Sequence, residues 1–429
     1  MMILKTSRSN LSSNDQLSLD LPFAATKSLT ARVGPTPTFT RASSATFVGS
    51  NGLIQSAAIN IPRFDHNPTS PFACRGLLIE ESRTNLLSRS EDFASSTWIK
   101  SNSSISGTLY TAPTGASTAN ELVEDSLNAA HTCVQNAATA TIGTTYTFSV
   151  FVKRKPSSNQ FLLIGATNLV VASFLSVNLT NGVTSTGIGS PGVPINVSST
   201  NYPDDWYRVQ FSVVATSAAA TTLDIRLSRN GTWTNRSYLG DGVQSSLIWG
   251  AQVEAGSFPT SYIPTVASSV VRSADVCSIT GANFTSFYNP TAFSLVINGD
   301  SYNGATPAFC VFSNDANGAR SFDIRRNSSN GHLIANDSSA GSLLLSAAPS
   351  FPVKFGGTIR GAVGDAFYNG ALYYNGTNSA VSASMNAAAR SKLVIGNASL
   401  GTPLNGCIRS ITCYKKSLSA AKMQALTAP

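Results

Sequence analysis

Alternation of apolar and polar residues dominates most of this chain. In YTFSVFVKR, Tyr146, Phe148, Val150 and Val152 fall on one face, and Thr147, Ser149, Phe151 and Lys153 on the other. That is period two, the repeat of a β-strand. The same texture recurs in QFLLIGA, ASFLSVNLT, WYRVQFSVVA, TTLDIRLS and SSLIWGAQVEAG. Turn signals at Thr180-Asn181-Gly182, Asn201-Tyr202-Pro203-Asp204 and Asn230-Gly231 separate these runs. Short strands at such spacing predict a β-sandwich over 88–272. A second set predicts another sandwich over 273–429: AFSLVING, PAFCVFSN, SFDIRRN, GHLIAND, ALYYNG, SKLVIGN and NGCIRSITCYKKSL. The closing LSAAKMQALT predicts a short helix. No solenoid period or long heptad run is present.

Residues 1–87 read differently. Up to about residue 38, polar residues and Pro22, Pro35 and Pro37 predict an extended arm. TFTRASSATFV then predicts a strand, Asn51-Gly52 a tight turn, and Pro62, Pro68 and Pro71 an irregular run before the apolar strand RGLLIEE. The fold expected is all-β: tandem sandwiches after an extended N-terminal anchoring segment.

Composition narrows the function. Only 12% of residues are charged, and Ser, Thr, Asn, Gly and Ala take their place. A polar, weakly charged surface suits extracellular, virion and adhesin-like β-proteins. With 42% apolar residues and 21 Phe, the chain is not of disordered composition. The net charge of +8 is scattered, with short clusters only at Lys153-Arg154-Lys155 and Lys415-Lys416, so nucleic acid is not an expected partner. Met1 to Pro22 lacks the apolar core of a secretory signal, and no run is long enough to span a bilayer, so membrane insertion is not expected.

Candidate chemistry is sparse. The six cysteines form no CxxC pair, so buried thiols are expected, with Cys310 and Cys413 one conceivable cross-strand pair. A glycosidase needs two carboxyl groups facing one cleft. Glu80-Glu81 and Asp204-Asp205 are adjacent, and adjacent strand residues face opposite ways. His66, in RFDHNP, reads as a structural turn residue. There is no HExxH, GxSxG or GxxxxGK[ST]. No cofactor is expected. Structural calcium suits sandwiches of both kinds, though no EF-hand-type loop is visible. Sugars stack their C–H faces on flat rings, with hydroxyls met by polar side chains. Trp98, Trp206 and Trp249 lie in core-like strands, whereas Trp233 lies in the polar run RNGTWTNRSYLGDG. The carbohydrate-binding candidates are therefore Trp233, Arg236, Tyr238 and Asp241, with Tyr302, Tyr368, Tyr373 and Tyr374 weaker ones.

Several motifs carry a resemblance. FTRASSATFV, NGLIQSAAINIPRFDHNP and RGLLIEESRTNLL resemble the lead-in segment of bacteriophage head-spike, head-fibre and tail-fibre proteins. SEDFASSTWIKSN, DDWYRVQFSVV and LIWGAQVEAGSFPTSYIPT are similar to the opening, a core strand and the exit of the carbohydrate-binding-like jelly roll of such appendages. The end, LNGCIRSITCYKKSLSAAKMQALT, is similar to the end of laminin-G/concanavalin-like domains. The resemblance implies an arm and virion-anchoring segment over 1–87, a jelly roll over 88–272 and a laminin-G-like sandwich over 273–429. It implies a non-enzymatic structural appendage, made in the host bacterial cytoplasm, released by lysis and resident in the virion. Expected partners are other capsid or tail proteins, host surface polysaccharide and two further copies of the chain in a homotrimer. The alternatives are a polysaccharide-degrading tail spike and a ligand-free capsid decoration protein.

Overall fold

The computed structural model describes residues 16–428, apart from 157, 159, 169–171, 187–192, 302–307, 314–319, 327–332, 338–340, 345–352, 361–362, 369–370, 375–389 and 397–402. The fold is all-β. Among the described residues every strand pair is antiparallel, and the helices are short segments at Phe23–Thr26, Gly281–Phe287 and Ala420–Thr427. The last of these is the helix expected from LSAAKMQALT, with the Ser419 hydroxyl accepting from the Lys422 amide at its N-cap.

Two sheets are built from the middle of the chain. One runs Tyr110–Thr111, Ser117–Glu124, Ser245–Ala255, Thr145–Arg154, Trp206–Val214, Ile195–Tyr202. The other runs Thr184–Thr186, Ser173–Asn178, Phe161–Thr167, Ala220–Ser228, Thr132–Thr139, Ile99–Ser101. Both contribute to one apolar cluster: Tyr146, Phe148, Val150 and Val152 from the first meet Leu162, Ile164, Leu223 and Ile225 from the second. The period-two reading of Thr145–Arg154 therefore holds. Its second face is buried too, because Phe151 packs with Trp206, Trp249, Tyr202 and Tyr262 in a separate cluster capped by Val48 and Ile54. Trp98, Trp206 and Trp249 are core residues, as their motifs suggested.

The other two large sheets combine both ends of the chain. In the larger, Ala292–Ser301 pairs with Gly406–Tyr414. Gly406–Tyr414 takes Cys74–Ile79 along Gly406–Ile408 and Leu17–Leu21 along Ile411–Tyr414. In the other, Thr38–Thr40 pairs with Val276–Thr280, which pairs with Lys392–Ile395. Leu19, Leu21, Leu77 and Ile79 share a core with Phe293, Leu295, Phe312 and Ile395.

These pairings correct the reading of the N-terminal region. LSLDL is no loose arm: Leu19 and Leu21 are fully buried, and Asp20 between them pairs with Arg32 at 2.5 Å. TFTRASSATFV is two strands, Thr38–Thr40 and Ala45–Val48, broken where Arg41 turns inward. The proline-rich run holds a strand, Phe64–His66. Asn51-Gly52 makes the expected turn, with Gly52 at φ +78°. Cys310 and Cys413 lie in different sheets and no disulfide joins them.

Candidate functional site

The motifs that carry the resemblance meet in a buried knot of charge. Arg63 of PRFDH is fully buried. Its Nη1 donates to Glu80 Oε2 at 2.7 Å, to the Ser261 hydroxyl at 2.8 Å and to the Thr46 carbonyl at 2.8 Å. Its Nη2 donates to Asp275 Oδ2 at 2.5 Å. Arg41 of FTRASS reaches the other Asp275 oxygen at 3.1 Å, and Arg272 lies 3.6 Å from Glu80. Ser261, in the exit motif SFPTSYIPT, donates its amide and hydroxyl to Glu80, each at 2.7 Å. Burial works against the Glu80 charge, but Arg272, Arg63 and Ser261 outweigh it and hold the carboxyl down to about 2. Three buried guanidiniums thus surround two carboxylates where the lead-in segment, the exit of the middle region and the linker to the last strands converge. Sequence reasoning missed the knot because its members lie up to 234 residues apart, as Arg41 and Asp275 do.

A cavity of about 320 Å³ opens beside this knot. Thr46, Phe47, Val48, Asp65, His66, Arg75 and Glu80 line it from the lead-in segment. Ser198, Thr200 and Tyr202 line it from the edge strand Ile195–Tyr202 of the facing sheet, Arg208 and Gln210 from its neighbour Trp206–Val214, and Phe258 to Tyr262 from the exit motif. Asp65 and His66 are sequence neighbours, yet both line it, because the register of Phe64–His66 against Cys74–Ile79 shifts between them. That bulge corrects the reading of His66 as a turn residue.

The polar groups of the cavity have defined states. Asp65 Oδ1 accepts from the Val48 amide at 2.8 Å, and Oδ2 lies 3.6 Å from Arg75. Burial nevertheless pushes the Asp65 carboxyl up to about 6. Burial lowers the pKa of His66, so its ring is neutral. His66 Nδ1 lies 3.1 Å from the Val48 carbonyl, which places the proton on Nδ1. Nε2 has no hydrogen-bond partner among the described residues. Arg208, 9% exposed, sits 5.5 Å from the centre of the Phe151 ring and donates Nη2 to the Ser149 hydroxyl at 3.1 Å. No carboxylate among the described residues pairs with it, and its Nε is unsatisfied.

The four residues expected to bind carbohydrate fall into two groups. Trp233 is half-buried, its ring 4.3 Å from Phe174, with Arg226 at 5.0 Å and Arg236 at 4.6 Å from its centre. Its ring is therefore already shielded by neighbours, and Arg236 also donates to the Trp233 carbonyl. Tyr238 and Asp241 instead surround buried Glu124. The Tyr238 hydroxyl donates to Glu124 at 2.6 Å, the Asp241 amide donates at 3.0 Å, and Arg229 bridges Glu124 and Asp241. Tyr302 and the side chains of Tyr368, Tyr373 and Tyr374 lie outside the described residues. Asp204 and Asp205, at φ +59° and +55°, form a turn, as expected. Among the described residues no group of three or more His, Cys, Asp or Glu could hold a metal ion, and no helix is long and apolar enough to cross a membrane.

No protein-family model and no curated protein matches the chain. Solved structures similar to it include Trypanosoma rangeli sialidase with the inhibitor DANA, at 10% identity and TM-score 0.29 over 76% of this chain and 62% of that one. Another Trypanosoma rangeli sialidase structure matches at 10% identity and TM-score 0.29, covering 96% of each chain. Mouse laminin alpha1 domains LG4-5 match at 10% identity and TM-score 0.23, over 69% of this chain and 88% of that one. This chain thus spans less than two thirds of the first of these sialidase chains. Likenesses this low assign no activity to this chain. They do correct one expectation: similar structures include enzymes, and the non-enzymatic reading is withdrawn.

Proposed function

We propose that this chain is a bacteriophage virion appendage, a head spike, head fibre or tail fibre, that adheres to glycans on the host surface. On this reading its four large sheets are two β-sandwiches, its virion neighbours are capsid or tail proteins, and it works as a homotrimer. Three copies would multiply weak sugar contacts through effective concentration. The observation that carries the reading is the buried knot. The motifs behind the resemblance supply Arg41, Arg63, Glu80 and Ser261 to a single interlocked set of contacts, which Arg272 and Asp275 of the following linker complete. The all-β fold and the weakly charged surface support it further.

The test is incubation of the purified chain with a panel of bacterial surface polysaccharides, with reducing-sugar release and light-scattering mass followed in parallel. Saturable binding by a three-copy species is expected. A monomer that binds no polysaccharide would overturn the proposal.

A second reading, glycan cleavage, rests on one observation. Asp65 and Glu80, with carboxyls pushed to about 6 and about 2, line the same cavity. Two carboxyls set apart in this way are the pattern of an acid and an ionised partner. Glu80, with both oxygens held by Arg63 and Ser261, would act through its charge. Sugar release that disappears in Asp65→Asn would establish this reading.

A further inference from the structure

We propose that the cavity between the lead-in segment and the facing sheet is a pocket for one acidic sugar unit, its carboxylate on Arg208. The inference rests on the glycan-adhesion reading and locates its site away from Trp233. Three features carry it. The cavity, at about 320 Å³, is at the lower end of small-ligand sites, so it admits a single sugar ring. Arg208 is a nearly buried guanidinium that lines the cavity, and its described partners are all uncharged: the Ser149 hydroxyl, the Tyr202 side chain and the Phe151 ring. A buried cation without a counter-charge is costly, and an anionic ligand relieves that cost. Guanidinium groups match carboxylates in two-point geometry. The other cavity charges are spoken for: Asp65 faces Arg75, and Glu80 is held by Arg63.

The remaining lining suits a sugar rather than a simple anion. Ser198, Thr200 and Gln210 offer donors and acceptors, and Phe258 offers an aromatic edge or face to C–H groups. A net positive chain also draws an acidic polysaccharide toward it.

The experiment is titration of the full chain with the methyl glycosides of glucuronic, galacturonic and N-acetylneuraminic acid, and of glucose as the neutral control, by calorimetry and saturation-transfer NMR. At least one acidic glycoside is expected to bind at least about tenfold more tightly than the glucoside. Which one binds separates uronic from nonulosonic acids. Arg208→Gln is expected to remove that preference. Thr200→Trp, at an exposed position on the cavity wall, is expected to block binding without touching the buried core. Thermal unfolding of each variant reports its folding. The inference is overturned if the glucoside binds as well as the acids, or if Thr200→Trp leaves binding intact. Polysaccharide binding that survives Thr200→Trp and is lost in Trp233→Ala would overturn the pocket and leave adhesion standing. Absence of polysaccharide binding by the unaltered chain would overturn both.

Discussion

Arg63 shows how much a single buried residue can be asked to hold. It touches three segments through four hydrogen bonds, and its charge is balanced by Glu80 and Asp275. Removing one member of such a set strands the others away from water, so Arg63→Met is expected to cost about 3–5 kcal/mol in urea unfolding. The two cavity carboxyls work in opposite directions with pH. Asp65 is raised from 3.8 to about 6, so the folded chain keeps a proton that the unfolded chain has lost in that window. Its contribution is present below 3.8 and is lost as pH rises through about 6. Glu80 is depressed from 4.5 to about 2, so its contribution is present above 4.5 and is lost as pH falls through about 2. Unfolding free energies measured across pH 3 to 7 are expected to fall less steeply between about 4 and 6 in Asp65→Asn than in the unaltered chain. The knot and the pKa values were not legible in the sequence, because neither burial nor a partner hundreds of residues away leaves a local signal. Trp233 was legible as an aromatic in a polar run, but its contacts with Phe174 and Arg236 were not.

Among the elements, Gly406–Tyr414 has the heaviest duty, with Ala292–Ser301 on one edge and two N-terminal strands end to end on the other. Gly76 sits at that junction at φ +105°, and an added Cβ would overlap the Ile408 carbonyl. Gly76→Ala is therefore expected to destabilise the fold by more than the ~1 kcal/mol typical of an ordinary substitution, read as a lower urea midpoint. Leu19→Ala, in a fully buried position of Leu17–Leu21, is expected to cost about 2–5 kcal/mol. The alternation Leu17, Leu19, Leu21 was visible in LSLDL, but the polar residues and prolines around it masked a strand of five residues. The longer alternating strands were read correctly because period two persists over enough residues to outweigh noise.

At the scale of the molecule, the two middle sheets are threaded between strands that belong with the last part of the chain. Residues 17–79 supply strands to both sheets that hold Val276–Thr280 and Ala292–Ser301. A fragment of 273–429 alone would lack Leu19, Leu21, Leu77 and Ile79 from its core. Circular dichroism and proteolysis are expected to show such a fragment poorly folded, and a fragment fused to residues 16–87 better protected.

Alternation, turn residues and a low charge content were enough, in the sequence alone, to determine an all-β chain with strands near the places found. Those signals are local: each depends on residues two to a few positions apart. The knot, the cavity, the bulge that brings Asp65 and His66 to one wall, and the seating of the N-terminal strands were decided only by tertiary structure. Their causes are partners far off in the chain, which a strand meets only when sheets close and water is expelled from between them.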